Sequence, residues 1–221
     1  MASGCSGTIG GTNRGWRLLL GGGSIRRGTQ TGRVLHCRSF WHDEPMTFTI
    51  RRPGPSDAAT IADLHVATWR ETYGHLLPDA YFSDEHIAGR HRMWESILTE
   101  PREDMAVRVA ESAGSIIGFA LVGAAQATGD DEPPRDRQLY AIYVAASHHG
   151  TGAGQSLLDD VLGEAPAMLW VAKENPRATA FYVRNGFRFD GVEMTDPQAP
   201  LITEARMVRE MHEHRRHRPA A

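Results

Sequence analysis

The chain has 221 residues, 41% of them hydrophobic: enough for one domain with a proper core, not for two comfortable ones. Its net charge of −3 excludes the global positive field that nucleic-acid binding favours. No run of about 18 apolar residues occurs, so the sequence holds no helical membrane span.

The charge is unevenly placed. Residues 1–45 carry six Arg and two acids, a net of +4, while the rest carries 18 basic and 25 acidic residues, a net of −7. Both cysteines, Cys5 and Cys37, lie in the basic part. Residues 46–221 therefore use no disulfide and no thiolate metal site, which fits a reducing, cytoplasmic setting. Residues 1–45 are rich in Gly, Ser, Thr and Arg, with Gly10-Gly11 and Gly21-Gly22-Gly23 as helix breakers. Such a segment buries too little apolar surface to offset its ordering entropy, so disorder is expected. An organellar presequence and a misassigned start are the two origins to weigh. Lys173 is the only lysine, as in GC-rich genomes, where spurious upstream frames are common, and Met46 opens a clean strand pattern. Both facts favour the misassigned start; a peptide from residues 1–45 in the native protein, found by mass spectrometry, would overturn that preference.

The predicted elements follow in order. A strand spans 47–52 and ends at Pro53 and Pro55. Ser56 reads as the N-cap of a helix whose apolar face carries Ile61, Leu64, His65, Thr68, Trp69 and Thr72 or Tyr73. A second helix covers 83–98, with Ile87, His91, Trp94 and Leu98 on one stripe. Strands 105–111 and 115–123 flank Ser112-Ala113-Gly114 as a hairpin. Residues 124–137 are an acidic, Pro-containing loop, and Gln138 to Val144 form a strand. Helix 153–163, strand 168–172, a helix from Asn175-Pro176 to Asn185-Gly186, and strands near 187–194 and 201–210 complete the chain. This β-α-α-β-β-β-α-β-α-β-β order predicts an α/β (α+β) fold: a mixed, mostly antiparallel sheet of about seven strands flanked by four helices. The domain is expected over 46–211, with 212–221 a solvated basic tail.

Between a strand and a helix stands His149-Gly150-Thr151-Gly152-Ala153-Gly154-Gln155. Glycines here expose backbone N–H groups beside a positive helix N-terminus, an arrangement that binds phosphate. A P-loop needs Lys then Ser or Thr after the last Gly, and Gln155-Ser156 follow instead. The dinucleotide pattern lacks its third Gly, although Glu174 stands where a ribose-binding acid would. A plain tight turn is the remaining reading.

The loop does not stand alone. Tyr140-Ala141-Ile142-Tyr143-Val144 precedes it, and Asn175, Ala178, Tyr182 and Gly186-Phe187 follow in the pattern Asn-x-x-Ala-x-x-x-Tyr then Gly-Phe. Together these resemble the GNAT superfamily of acyl-CoA-dependent N-acyltransferases, over residues 47 to about 210. The family's loop begins with Gln or Arg where this chain has His149, a departure expected to weaken cofactor affinity or to make it depend on pH.

The resemblance implies acetyl-CoA as co-substrate, with no metal. Its pantetheine arm would pair with the strand at Ile142, Tyr143 and Val144, its diphosphate would rest on His149, Gly150, Thr151, Gly152, Ala153, Gly154 and Gln155, and Asn175 and Ala178 would add contacts. Tyr182 would be the general acid that protonates the departing thiolate. Without the resemblance, Tyr182 reads as a core aromatic and Asn175 as an ordinary N-cap before a proline. Trp69 and Tyr73 share a helix face near the implied acceptor site. Trp69 reads chiefly as core, Tyr73 as a candidate for the acceptor pocket. No base is assigned: Glu132 lies in a loop, Tyr140 has a high pKa, and a lone His65 on an apolar stripe reads as packed. The adjacent His148 and His149 diverge, and His212, His214 and His217 lie in the tail, so no metal site is expected.

The expected activity is transfer of an acetyl group from acetyl-CoA directly to a primary amine of a small molecule, a protein N-terminus or a side chain. With no Cys after Cys37, a cysteinyl intermediate is excluded. The acidic body leans toward a cationic acceptor. No nucleic-acid or membrane partner is expected, and a homodimer is compatible with the chain. The rival readings are a non-catalytic acyl-CoA sensor and a dinucleotide-dependent oxidoreductase.

Overall fold

The structure, a computed structural model, describes residues 47–128, 131–195 and 199–210. The expected N-terminal extension and the histidine-bearing tail lie outside these residues. The elements are β1 (Thr49–Arg51), α1 (Ala58–Tyr73), α2 (Asp84–Thr99), β2 (Ala106–Ser112), β3 (Ser115–Ala124), β4 (Arg137–Val144), α3 (Ala153–Val161), β5 (Ala167–Ala172), α4 (Pro176–Arg184), β6 (Arg188–Thr195) and β7 (Thr203–Arg209). The order is the expected one. The seven strands form one sheet in the order β1-β2-β3-β4-β5-β7-β6, antiparallel except where β4 meets β5. The described residues contain no helix long and apolar enough to cross a membrane.

Local chemistry sets the boundaries. Ser83 caps α2 by accepting from the His86 N–H. Ser56 does not cap α1. Pro55–Asp57 form a short 3₁₀ turn, and the Asp57 carboxylate accepts from the Gly54 N–H at 2.8 Å while pairing with Arg51 at 2.7 Å. A charged side chain three residues past Gly54 reaches back better than the Ser56 hydroxyl, so the helix begins later than expected. The β2–β3 hairpin turns on Ala113 and Gly114, both left-handed, at φ 49° and 75°.

Two cores lie on opposite faces of the sheet. One, under α1 and α2, holds Trp69, Tyr73, Trp94, Phe119, Leu121, Ala141 and Tyr143. The other, under α3 and α4, holds Val122, Leu139, Ile142, Leu157, Leu158, Leu169, Tyr182 and Phe187. Strand β4 contributes to both, and a bulge resets its alternation. Leu121 pairs with Ala141 while Val122 pairs with Leu139, so Tyr140 is the extra residue. Tyr140 and Ala141 both pack on the α1/α2 side. From there Ile142 faces α3 and Tyr143 faces α1.

The bulge coincides with a parting of strands. β4 and β5 pair only at Gln138–Met168 and Leu139–Leu169. Beyond this, β4 runs on to Val144 with β5 no longer beside it. The Ala145 N–H donates to the Ile117 carbonyl on β3, so by antiparallel alternation Tyr143 and Ala141 also turn their backbone groups toward β3. Those of Ile142 and Val144 turn the other way, to the open edge.

Candidate active site

The open edge of β4 leads directly into the glycine stretch. A 3₁₀ turn, Ala146–His148, reverses the chain, and Gly152 then serves as the N-cap of α3. Gly150 and Gly152 have φ of 83° and 92°, and a Cβ on either would meet nothing within 4 Å. The demand for glycine at both is therefore conformational, not the close approach of a neighbour. The Thr151 hydroxyl donates to the His148 carbonyl at 2.8 Å and accepts from the Ala153 N–H, which fixes the turn.

A cavity of about 410 Å³ opens between this loop and α4. Its walls include Ile142, Tyr143, Val144, His149, Gly150, Gly152, Ala153, Gly154, Gln155 and Ala178. These are most of the residues expected to bind a cofactor. Thr151 and Asn175 are not on the wall. The structure adds five residues the sequence did not single out: His148, Arg177, Ala180, Phe181 and Arg184. Arg177, Ala180, Phe181 and Arg184 follow helical spacing along one face of α4. The motif residues Asn175, Ala178 and Tyr182 form the neighbouring face, which is buried.

His149 is anchored rather than free. Its Nε2 lies 2.9 Å from the Val144 carbonyl, which only accepts, so Nε2 carries the proton. Burial, then the nearby Arg177 cation, hold its pKa below the usual 6.5. His148 turns instead to the Ser147 hydroxyl. Among the described residues no group of three metal-ligating side chains occurs.

Behind the cavity lies a floor of hydrogen-bonded aromatics. Asn175 caps α4 through the Ala178 N–H, and its Nδ2 donates to the Tyr73 hydroxyl at 3.0 Å. Trp69 Nε1 donates to the Tyr143 hydroxyl at 2.5 Å, with the Arg90 guanidinium 4.2 Å from a Trp69 ring centroid. Trp69 and Tyr73 are thus buried members of the α1/α2 core, with no share in the cavity wall. Tyr182 is 2% exposed. Burial first, and the Tyr73 phenol second, push its pKa well above the phenol's usual value. Tyr143 is raised by burial and then Tyr73, against the Trp69 bond. Tyr182 is therefore a protonated phenol at neutral pH, able to give a proton and unable to take one.

The base candidates are committed elsewhere. His65 accepts from Trp94 Nε1 at Nδ1, which leaves Nε2 as a buried N–H without a partner. Burial, then Arg90, hold its pKa well below 6.5. It is a packed histidine with no lone pair to offer. The Tyr140 hydroxyl donates to the Ala124 carbonyl, and Glu132 is exposed. Glu174, the acid on which a ribose reading rests, accepts from the Thr203 N–H and is not on the cavity wall.

The acetyltransferase (GNAT) family model matches residues 59–187, more than half of the chain. The chain belongs to the GNAT family. It is thereby an acyltransferase. A probable N-acetyltransferase of Mycobacterium tuberculosis is 31% identical over 158 residues, covering 69% of this chain and 86% of the relative. An uncharacterized N-acetyltransferase of the same species is 32% identical over 164 residues, covering 69% of this chain and 99% of the relative. Among solved structures, the PaiA N-acetyltransferase of Thermoplasma acidophilum in complex with coenzyme A aligns with a TM-score of 0.53 and 20% identity, covering 75% of this chain and 99% of the other. A ribosomal-protein-alanine N-acetyltransferase of Brucella melitensis aligns with a TM-score of 0.56 and 20% identity, covering 73% and 98%. These neighbours share the GNAT fold.

Proposed function

We propose that the protein transfers an acetyl group from acetyl-CoA directly to a primary amine of a small molecule, a protein N-terminus or a side chain. The observation that carries this reading is the edge of β4 from Ile142 to Val144, which has no strand beside it and runs into left-handed glycines at the N-terminus of α3. A pantetheine arm pairs with such an edge as an added strand. The diphosphate fits the amides from Gly150 to Gln155 and the partial positive charge of α3. The solved coenzyme A complex of a protein with this fold supports the assignment.

Attack of a neutral amine on the thioester carbon expels coenzyme A as a thiolate, which needs a proton. Tyr182, protonated and on the inner face of α4, is the donor in this reading; the proton that the attacking nitrogen loses leaves to solvent, and solvent returns one to the phenolate. Tyr143 contributes as part of the floor: its backbone turns toward β3, so it is not the residue that pairs with the arm. The chain offers no cysteine beyond Cys37 to carry the acetyl group, which leaves a cysteinyl intermediate without a carrier there.

The test is thiol release from acetyl-CoA across a panel of amines. The expected result is turnover that falls about 10²-fold or more in Tyr182→Phe, with acetyl-CoA affinity preserved. Stabilisation by a nicotinamide dinucleotide and not by acetyl-CoA would overturn the reading. Unchanged turnover in Tyr182→Phe would remove that residue from the chemistry.

A further inference from the structure

The edge of β4 that would take an added strand is already occupied at its end. Ile142 and Val144 turn their N–H and C=O groups to that edge. One of these groups is held from within the chain: the Val144 carbonyl accepts from His149 Nε2 at 2.9 Å. A side chain five residues on thus folds back over the strand it follows and stands where a neighbouring strand's N–H would stand.

The turn brings the ring there. The His148 N–H donates to the Ala145 carbonyl and the His149 N–H to the Ala146 carbonyl, so the chain reverses at once after β4. His148 turns to the Ser147 hydroxyl, and of the two histidines only His149 reaches the strand. Among the described residues the His149 ring has no other hydrogen bond, ion pair or ring contact. It is half-buried on the wall of the cavity of about 410 Å³, so it has space to rotate into.

An added strand runs about 4.8 Å from its neighbour. A ring nitrogen 2.9 Å from the Val144 oxygen lies inside that lane. The second lone pair of the carbonyl does not resolve the conflict, because the ring takes the space as well as the bond. We propose that His149 is a latch on the cofactor seat: its ring holds the Val144 carbonyl in the free protein and must swing off before a pantetheine arm pairs with the end of β4. This rests on the acetyl-CoA reading above. The latch exchanges one hydrogen bond for another, so its cost to affinity is modest. That cost falls on ligands that carry the arm and spares the nucleotide end alone.

The experiment compares acetyl-CoA with ADP, which has a diphosphate and no arm, by calorimetry at about pH 8, where the imidazole is neutral. His149→Ala is expected to bind acetyl-CoA about fivefold more tightly than the wild type, the worth of one net hydrogen bond, and to gain nothing for ADP. In the wild type, the nuclear Overhauser contact between the His149 ring and Val144 should vanish at saturating acetyl-CoA and persist with ADP. A contact that persists with acetyl-CoA would overturn the proposal. So would a variant that binds acetyl-CoA no more tightly, or that gains equally for both ligands. Failure of acetyl-CoA to bind either protein would instead bring down the acetyl-CoA reading, and the latch with it.

Discussion

The two sides of the sheet solve different problems. On the α3/α4 side, a core as buried as its counterpart lies under a cavity whose exposed wall is loop backbone and the cations Arg177 and Arg184. On the α1/α2 side, Trp69, Tyr73, Trp94, Phe119 and Tyr143 interlock with almost no exposure, and their polar atoms hydrogen-bond across elements. The exposed cations of that wall can therefore be altered with effects on binding alone. On the second, a substitution acts on stability first and on chemistry through it. Asn175 and Tyr182 stand between, one capping α4 while holding Tyr73, the other buried on the inner face of the same helix.

The contrast can be broken most severely at Trp94. Truncation to Ala would open a cavity in the fully buried α1/α2 core and leave the His65 ring without the Trp94 donor that Nδ1 accepts from. A loss of about 3–5 kcal/mol is expected in urea unfolding. A loss under about 1 kcal/mol would mean that this core is not tightly packed.

Asn175 sharpens the comparison, because it serves both sides. Asn175→Ala is expected to cost about 2 kcal/mol, from the lost cap and the lost donor to Tyr73, and to lower turnover as well. Asn175→Asp keeps an acceptor for the Ala178 N–H but replaces the donor to Tyr73 with a buried carboxylate. It should recover part of the stability and little of the activity. Equal behaviour of the two variants would dissolve the link between α4 and α1.

His149 belongs to the binding side, and its effect should be the smallest. Burial and Arg177 keep it neutral near pH 7. A bound diphosphate favours the imidazolium, so its pKa rises on binding; affinity should increase as pH falls and level off once the imidazole of the free protein is itself protonated. The gain should stay under about tenfold and be absent in His149→Gln, with the melting temperature nearly unchanged. An identical pH profile in the variant would show that His149 only anchors the Val144 carbonyl.

Most of this organisation is legible in the sequence, though unevenly. Periodicity and turn residues set the element order, and the two spaced motifs mark the glycine loop and the buried face of α4. The sheet order is not local information. Nothing in the chain near Thr203 says that β7 inserts between β5 and β6. Tyr140 carries no mark of a bulge, yet that extra residue decides which β4 backbone groups face the open edge. Arg177 and Arg184 carry no mark in the sequence, because single charges on an exposed helix face read as solvated unless a cavity lies beside them. Trp69 and Tyr73 share one face of α1, as their spacing says. That this face meets the Tyr143 and Asn175 side chains, away from the cavity, depends on contacts 74 and 102 residues apart.

The central claim is that the open edge of β4 and the glycine loop form the seat of acetyl-CoA. Amide hydrogen exchange tests it directly. With saturating acetyl-CoA, the backbone N–H groups of Ile142 and Val144 and those of residues 150–155 should slow together, while α2 keeps its rates. Exchange that is unchanged at Ile142 and Val144, or slowed there by a nicotinamide dinucleotide but not by acetyl-CoA, would contradict the account.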